Sequence, residues 1–208
     1  MAFTLEENRI YILAAVALIL LAGTGWYIYR HMRKTRHQRH LQSVIASLGL
    51  PYIRDAVLPD GVDSLAFIDY LIQLPDGVIV LDVENSKGHL FGGKSVDQWS
   101  QVLNNRTYKF NNPLYANQSK CQAVIWNVAN IRKQDQDDTS DWHTHGWVVF
   151  SNAGNFPKGI PDRVSMIDDL KENLAPLMNS ELNISESIRK TWDALHNVSV
   201  NTRTELTR

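Results

Sequence analysis

From Ile10 to Tyr29 the chain reads IYILAAVALILLAGTGWYIY, with no charged residue in the run. At a rise of about 1.5 Å per residue, some 20 such residues make a helix that spans the roughly 30 Å hydrocarbon core of a bilayer. The run therefore predicts a transmembrane helix over 10–29. Tyr11 near one end and Trp26, Tyr27 and Tyr29 near the other sit where aromatic side chains favour the membrane interface. Arg30, Arg33, Lys34, Arg36 and Arg39 follow at once. A basic flank stays on the cytoplasmic side, so the expectation is a single-pass chain with residues 1–9 outside and the main domain cytoplasmic. A cleaved signal peptide fits less well, because the apolar run is long for one and its leading flank carries Glu6 and Glu7. The basic segment 30–40 reads as a topology signal in contact with lipid headgroups.

Beyond His40 the chain has 15 Lys and Arg against 20 Asp and Glu, a net of -5. Such a domain lacks the broad basic face that dominates non-specific nucleic-acid affinity, so any activity of that kind must come from a local site. Cys121 is the single cysteine, which excludes a disulfide within one chain. No Gly-rich phosphate loop, nucleophile elbow or Cys-x-x-Cys pair is present.

Leu41, Val44, Ile45 and Leu48 recur at helical spacing and stop at Gly49-Leu50-Pro51, so a short helix leads into the domain. Strands are expected over Tyr52–Val57, Leu65–Gln73, Val78–Glu84, His89–Phe91, Thr107–Phe110, Gly146–Ser151 and Arg163–Ile167. Pro113 suits the first turn of a helix running to about Asn130, and Arg132–Asp141 reads as a polar loop. A helix is expected over Asp169–Met178. In the tail 179–208, Ile184, Ile188, Trp192 and Leu195 stand at helical spacing, which predicts a packed helix.

Leu74-Pro75-Asp76-Gly77 joins two of these strands as a tight turn. If the turn is centred between Pro75 and Asp76, partners have numbers summing to 151, which sets Asp69 opposite Asp82 and Phe67 opposite Glu84. Asp82 and Glu84, two apart on a strand, project to the same side. Carboxylates so crowded destabilise a sheet unless a cation compensates, and hard oxygen donors suit magnesium or manganese. The bland alternative is three acids at exposed strand ends. His143 and His145 in WHTHGW share the spacing of a metal-ligand pair but have no evident third ligand. Trp99 could stack a base, although a lone Trp is more often core.

The run FIDYLIQLPDGVIVLDVENSKGHLFG (Phe67–Gly92), followed by Trp99-Ser100-Gln101 and then Asn112-Pro113-Leu114, resembles the nuclease-related domain (NERD) family. The family pattern is an Ile-Asp, a hydrophobic strand, a Gly turn, an acid-x-Lys-Asn strand end, a Gly, a Trp-x-Gln, and an Asn-Pro before a helix. The resemblance covers about His37 to Pro176. It implies an α/β fold of the restriction-endonuclease-like type, a mixed sheet flanked by helices, here preceded by the transmembrane helix. It also implies a Mg- or Mn-dependent nuclease site in which Asp69 and Asp82 match the two strand acids. Glu84 falls where the family carries its catalytic lysine, and the helix after Pro113 shows Ala116 and Lys120 where the family tends to show Gln and His. Lys87, three residues past Glu84, is then the nearest stand-in for the missing charge, and Glu84 a third metal ligand.

The resulting expectation is a membrane-anchored chain: 1–9 outside, 10–29 spanning, 30–40 basic, 41–178 NERD-like, 179–208 a helical tail. Its expected function is metal-dependent hydrolysis of DNA or RNA by a degenerate site made of Asp69, Asp82, Glu84 and Lys87. The alternative is a catalytically inactive, membrane-tethered scaffold that binds nucleic acid or a protein partner.

Overall fold

The computed structural model describes Thr24 and residues 38–135, 140–150, 153–178 and 184–206 of the 208. Apart from Thr24, which is helical, the run at 10–29 and the basic residues before Gln38 lie outside the described residues. Among the described residues no helix is long and apolar enough to cross a membrane. The chain divides into two units, Met1–Ser43 and Val44–Arg208. The helical residues 38–46 (α1) run through the boundary and stop at Gly49, whose φ of 71° is the left-handed backbone that glycine adopts without strain at helix ends.

Two sheets form the second unit. The first holds β1 (Tyr52–Pro59), β2 (Leu65–Leu74), β3 (Gly77–Glu84), β7 (His143–Phe150) and β9 (Val164–Met166), in the order β1-β2-β3-β7-β9. β1, β2 and β3 are antiparallel neighbours, whereas β3, β7 and β9 run parallel, so the sheet is mixed. The second sheet holds β4 (Gly88–Phe91), β5 (Gln98–Leu103), β6 (Arg106–Asn111) and the short β8 (Gly154–Asn155), in the order β6-β5-β4-β8. Three helices complete the unit: α2 (Pro113–Asp135), α3 (Leu170–Leu174) and α4 (Glu186–Leu206). This is the mixed α/β architecture expected from the sequence; the transmembrane helix set before it falls outside the described residues.

β3 is the central strand, and its near-continuous apolar run GVIVLDVE is what a strand covered on both faces needs. Its register with β2 is Tyr70↔Leu81 through Leu74↔Gly77, every pair summing to 151 as the turn predicts. Gly77 opens β3 at a φ of 151°, and a Cβ there would lie 1.9 Å from the His143 carbonyl oxygen, so no larger residue fits where β3 and β7 meet. On one side of the sheet Ile53, Leu58, Ile68, Leu71, Val78 and Val80 pack with Cys121, Val124 and Val128 of α2 and with Trp192 and Leu195 of α4. The tail thus contributes to the core through Trp192 and Leu195, and Ile188 is buried too, whereas Ile184 lies ahead of α4 and is exposed.

Four elements differ from expectation, one of them the short β8, where no strand is expected. β5 and its hairpin with β6 are absent from the sequence reading. The turn is Asn104-Asn105, both at left-handed φ (50° and 59°), the geometry of a two-residue type I′ hairpin that Asn tolerates. α2 continues past Asn130 to Asp135 because Arg132, only 1% exposed, is tied down: its Nε donates to Thr191 Oγ1 at 3.0 Å, its Nη1 pairs with Asp141, and its guanidinium lies over the Trp142 ring. α3 is shorter than the helix expected over 169–178 and ends at Leu174.

Candidate active site

The ladder pairing of β2 with β3 ends at Tyr70↔Leu81, one step short of the two aspartates. Beyond it the Asp69 carboxylate takes over the work of the ladder, accepting a hydrogen bond of 2.7 Å from the Val83 backbone N–H. A side chain thus satisfies a strand donor that the neighbouring strand leaves open, and Asp69 is held beside Asp82. Asp82 is 6% exposed. One of its oxygens lies 2.7 Å from the Lys120 ammonium and the other accepts from Asn117 Nδ2 at 3.1 Å.

Both partners come from α2, and the start of that helix explains why. Asn112, 1% exposed, accepts from Leu114 N–H at 3.0 Å as a cap, and its amide donates to the Val96 carbonyl at 2.8 Å. Pro113 then begins the helix where a missing N–H costs nothing. Positions 117, 120, 121 and 124 share one helix face, so the stripe that buries Cys121 and Val124 also carries Asn117 and Lys120 toward β3. Asn117 is further anchored to the Val80 carbonyl at 3.0 Å. It fits because residue 146 is glycine: a Cβ there would stand 2.2 Å from Asn117 Oδ1.

Charge is unbalanced at this end of the sheet. Burial pushes the Asp69 carboxyl above its usual pKa, the Val83 N–H lowers it and the Asp82 charge raises it again. Glu84, at the end of β3, is raised by burial first and then by the charges of Asp82 and Asp69, with Lys120 working against them. Asp55 also acts on Asp69. It falls opposite Asp69, between the pairs Arg54↔Tyr70 and Ala56↔Ile68, with a left-handed φ of 51°. Its carboxylate pairs with Arg54 Nε at 3.1 Å.

Asp69, Asp82 and Glu84 therefore lie close enough to perturb one another, as the hairpin register implies. Even so, among the described residues no three His, Cys, Asp or Glu side chains are gathered tightly enough to hold a metal ion by themselves. Lys87 lies in the connection from β3 to β4, where its carbonyl accepts from Gln101 Nε2 at 2.8 Å. The cation acting on Asp69 and Glu84 is Lys120. Sequence reasoning passed over Lys120 as a departure from the family pattern. The signal was a polar pair, Asn117 and Lys120, in the apolar stripe of an otherwise regular helix.

The other candidates fall away from this end. His143 and His145 pair with Gly77 and Ile79, whereas Asp82 pairs with Val148. Their rings lie nearly parallel, 6.3 Å apart, and His143 Nδ1 is 3.6 Å from Asp76. Cys121 is buried, and burial followed by the Asp82 charge pushes its thiol up to about 11, so it stays protonated and unreactive at neutral pH. Trp99 is fully buried and belongs to the core.

Glu84 carries a direct stability consequence. A carboxyl whose folded pKa is raised contributes stability below its unfolded pKa and loses it as pH rises through the folded value. With chelator present, Glu84→Gln removes that cost, and we expect Tm at pH 7 to rise by up to about 4 °C, the gain vanishing near pH 4. Thermal melts at the two pH values check this, and a lower Tm for the variant at pH 7 would contradict it.

An uncharacterized protein of Bacillus anthracis is 27% identical over 59 residues, a stretch that is 28% of this chain and 28% of that protein's length. No solved structure matches the chain. The family described as nuclease-related domain matches residues 28–151, more than half of the sequence and the whole of the β2–β3 hairpin and α2. The chain belongs to the nuclease-related domain family, of the restriction-endonuclease-like superfamily.

Proposed function

We propose that the chain is a divalent-metal-dependent nuclease in which Lys120 supplies, from α2, the positive charge that the family pattern carries at the position of Glu84. The observation that carries this reading is the 2.7 Å contact of the Lys120 ammonium with Asp82. The donor set fits magnesium or manganese. Magnesium keeps several of its waters and needs only one or two carboxylates, so Asp69 and Asp82 suffice without a third ligand. The excess of carboxylates over cations around Asp69 favours such an ion. When bound, the ion would polarise a phosphoryl oxygen and lower the pKa of the attacking water.

The chain's own residues do the rest. Asn117 fixes the rotamer of Asp82 by holding one carboxylate oxygen. Lys120 offers N–H donors to the charge that develops on the phosphate. Glu84, with its raised affinity for a proton, accepts one as water adds to phosphorus and the P–O bond to the leaving oxygen breaks. Asp82→Asn is expected to lower manganese-dependent cleavage of single- and double-stranded DNA and RNA by at least ~10²-fold with the fold intact. Cleavage unaffected by that change would sink the reading.

The apolar run at 10–29 and the basic segment after it anchor this domain at the cytoplasmic face of a membrane, with the amino terminus outside. Its charge-free length and its basic flank support the anchor. Release of the full-length chain from membranes by alkaline carbonate would count against it. The Lys120–Asp82 pair also favours a second reading, a catalytically inactive scaffold that binds nucleic acid or a protein partner, because the ammonium occupies an oxygen that a metal would need. In that case no ion restores cleavage, yet the fold is kept.

A further inference from the structure

A cavity of about 310 Å³ is lined in part by Asn117, whose amide also holds Asp82. Its floor is Thr144 and Gly146 of β7, one wall is the α2 face of Tyr115, Gln118, Gln122 and Ile125, and its rim carries Lys94, Asp162 and Arg163. The nearest atoms a Cβ at 146 would meet belong to Asn117 and Cys121, two residues that also line the cavity.

Three observations together point to a ligand. The rim is cationic on balance, with two positive side chains and one negative. Neither Lys94 nor Arg163 forms an ion pair among the described residues, although acids outnumber bases in the unit around them. Arg163 holds a left-handed φ of 59°, a backbone state that a non-glycine residue adopts only when its surroundings impose it. Its carbonyl accepts at 3.0 Å from the N–H of Val148, the residue opposite Asp82. The α2 wall offers, at exposed positions, the carboxamides of Gln118 and Gln122 and the phenol ring of Tyr115, groups that read the edge and face of a heterocycle. The volume lies at the small end of the range for small-molecule sites, ~300–1,000 Å³, room for one nucleotide and too little for a duplex.

We propose that this cavity holds a single nucleotide of an unpaired strand, its phosphate against Lys94 and Arg163 and its base against the α2 wall of Tyr115, Gln118 and Gln122. The inference rests on the nuclease reading for its place in the reaction, since Asn117 separates the cavity from Asp82 and a nucleotide seated there sets the strand beside the acids. It makes the site selective for single strands, because a base in a duplex is not free to enter.

Equilibrium dialysis of the full-length chain with adenosine and uridine 5′-monophosphate, and separately with inorganic phosphate, tests the cavity apart from the chemistry. Binding of a nucleoside monophosphate is expected, at least tenfold tighter than that of inorganic phosphate. It should fall at least tenfold in the double variant Lys94→Gln, Arg163→Gln and also in Gln118→Trp, which fills the cavity from an exposed helix position. Asp82→Asn should leave it within twofold, so loss of cleavage and loss of nucleotide binding are read separately. Absence of binding, binding insensitive to the rim and filling variants, or phosphate binding as tight as the nucleotide would each overturn the proposal.

Discussion

Replacing Lys120 with Met is expected to lower metal-dependent cleavage by ~10²–10³-fold, the usual effect of removing one preorganised donor from a developing oxyanion. Met keeps the length and the apolar stem of the side chain, so what it removes is the ammonium. Asp82 is 6% exposed and would keep only its bond from Asn117. A carboxylate left so poorly compensated also costs stability, about 1–3 kcal/mol given that the Lys120 side chain is 27% exposed and partly hydrated. Lys120→Arg, which keeps the charge, should retain more activity than Lys120→Met. Lys87→Met is the control: its backbone is held by Gln101, and Lys120 is the cation that acts on Asp69 and Glu84, so cleavage should stay within about twofold of the parent. Initial rates on labelled oligonucleotides with manganese decide the matter. Equal loss from both variants, or greater loss from Lys87→Met, would contradict the assignment.

Trp99→Ala carries the largest expected effect on stability, about 3–5 kcal/mol out of a total of roughly 5–15. Trp99 is fully buried, lies nearly parallel to Phe150 at 5.9 Å between ring centres, and meets Phe110 and Phe156 edge-on. Its Nε1 donates to the Gly93 carbonyl at 3.1 Å, so the polar end of the ring is satisfied as well. Phe150 is the residue of β7 paired with Glu84. The indole therefore joins the second sheet to the end of β3 that bears the acids, and the truncation should loosen the site along with the core. Urea unfolding followed by fluorescence of the remaining tryptophans measures the loss, and a change below ~1 kcal/mol would show that the two sheets are held by other contacts.

The β2–β3 hairpin was legible because its information is local. Pro75, Asp76 and Gly77 fix the turn, the turn fixes a register of 151, and the register puts Asp69 beside Asp82. The helix after Pro113 and the packing of most of the tail were equally plain from a proline and apolar spacing. Lys120 was out of reach because it meets Asp82 across 38 positions of sequence, a contact decided by how α2 lies on β3. Asp55 needs the pairing of β1 with β2 before it can be seen opposite Asp69. β5 was missed although Asn104-Asn105 marks its turn, because QWSQVL shows no clean alternation: that hairpin packs on the first sheet through Trp99, with Phe110 of β6 against it.

Calorimetric titration of the full-length chain with manganese, beside Asp82→Asn, tests the metal centre most directly. One site per chain is expected in the parent, and loss of that site in the variant. Affinity should also fall as pH is lowered through the raised pKa of Asp69, because the ion needs the ionised carboxylate. Binding of equal strength in both proteins, or none in the parent, would contradict it.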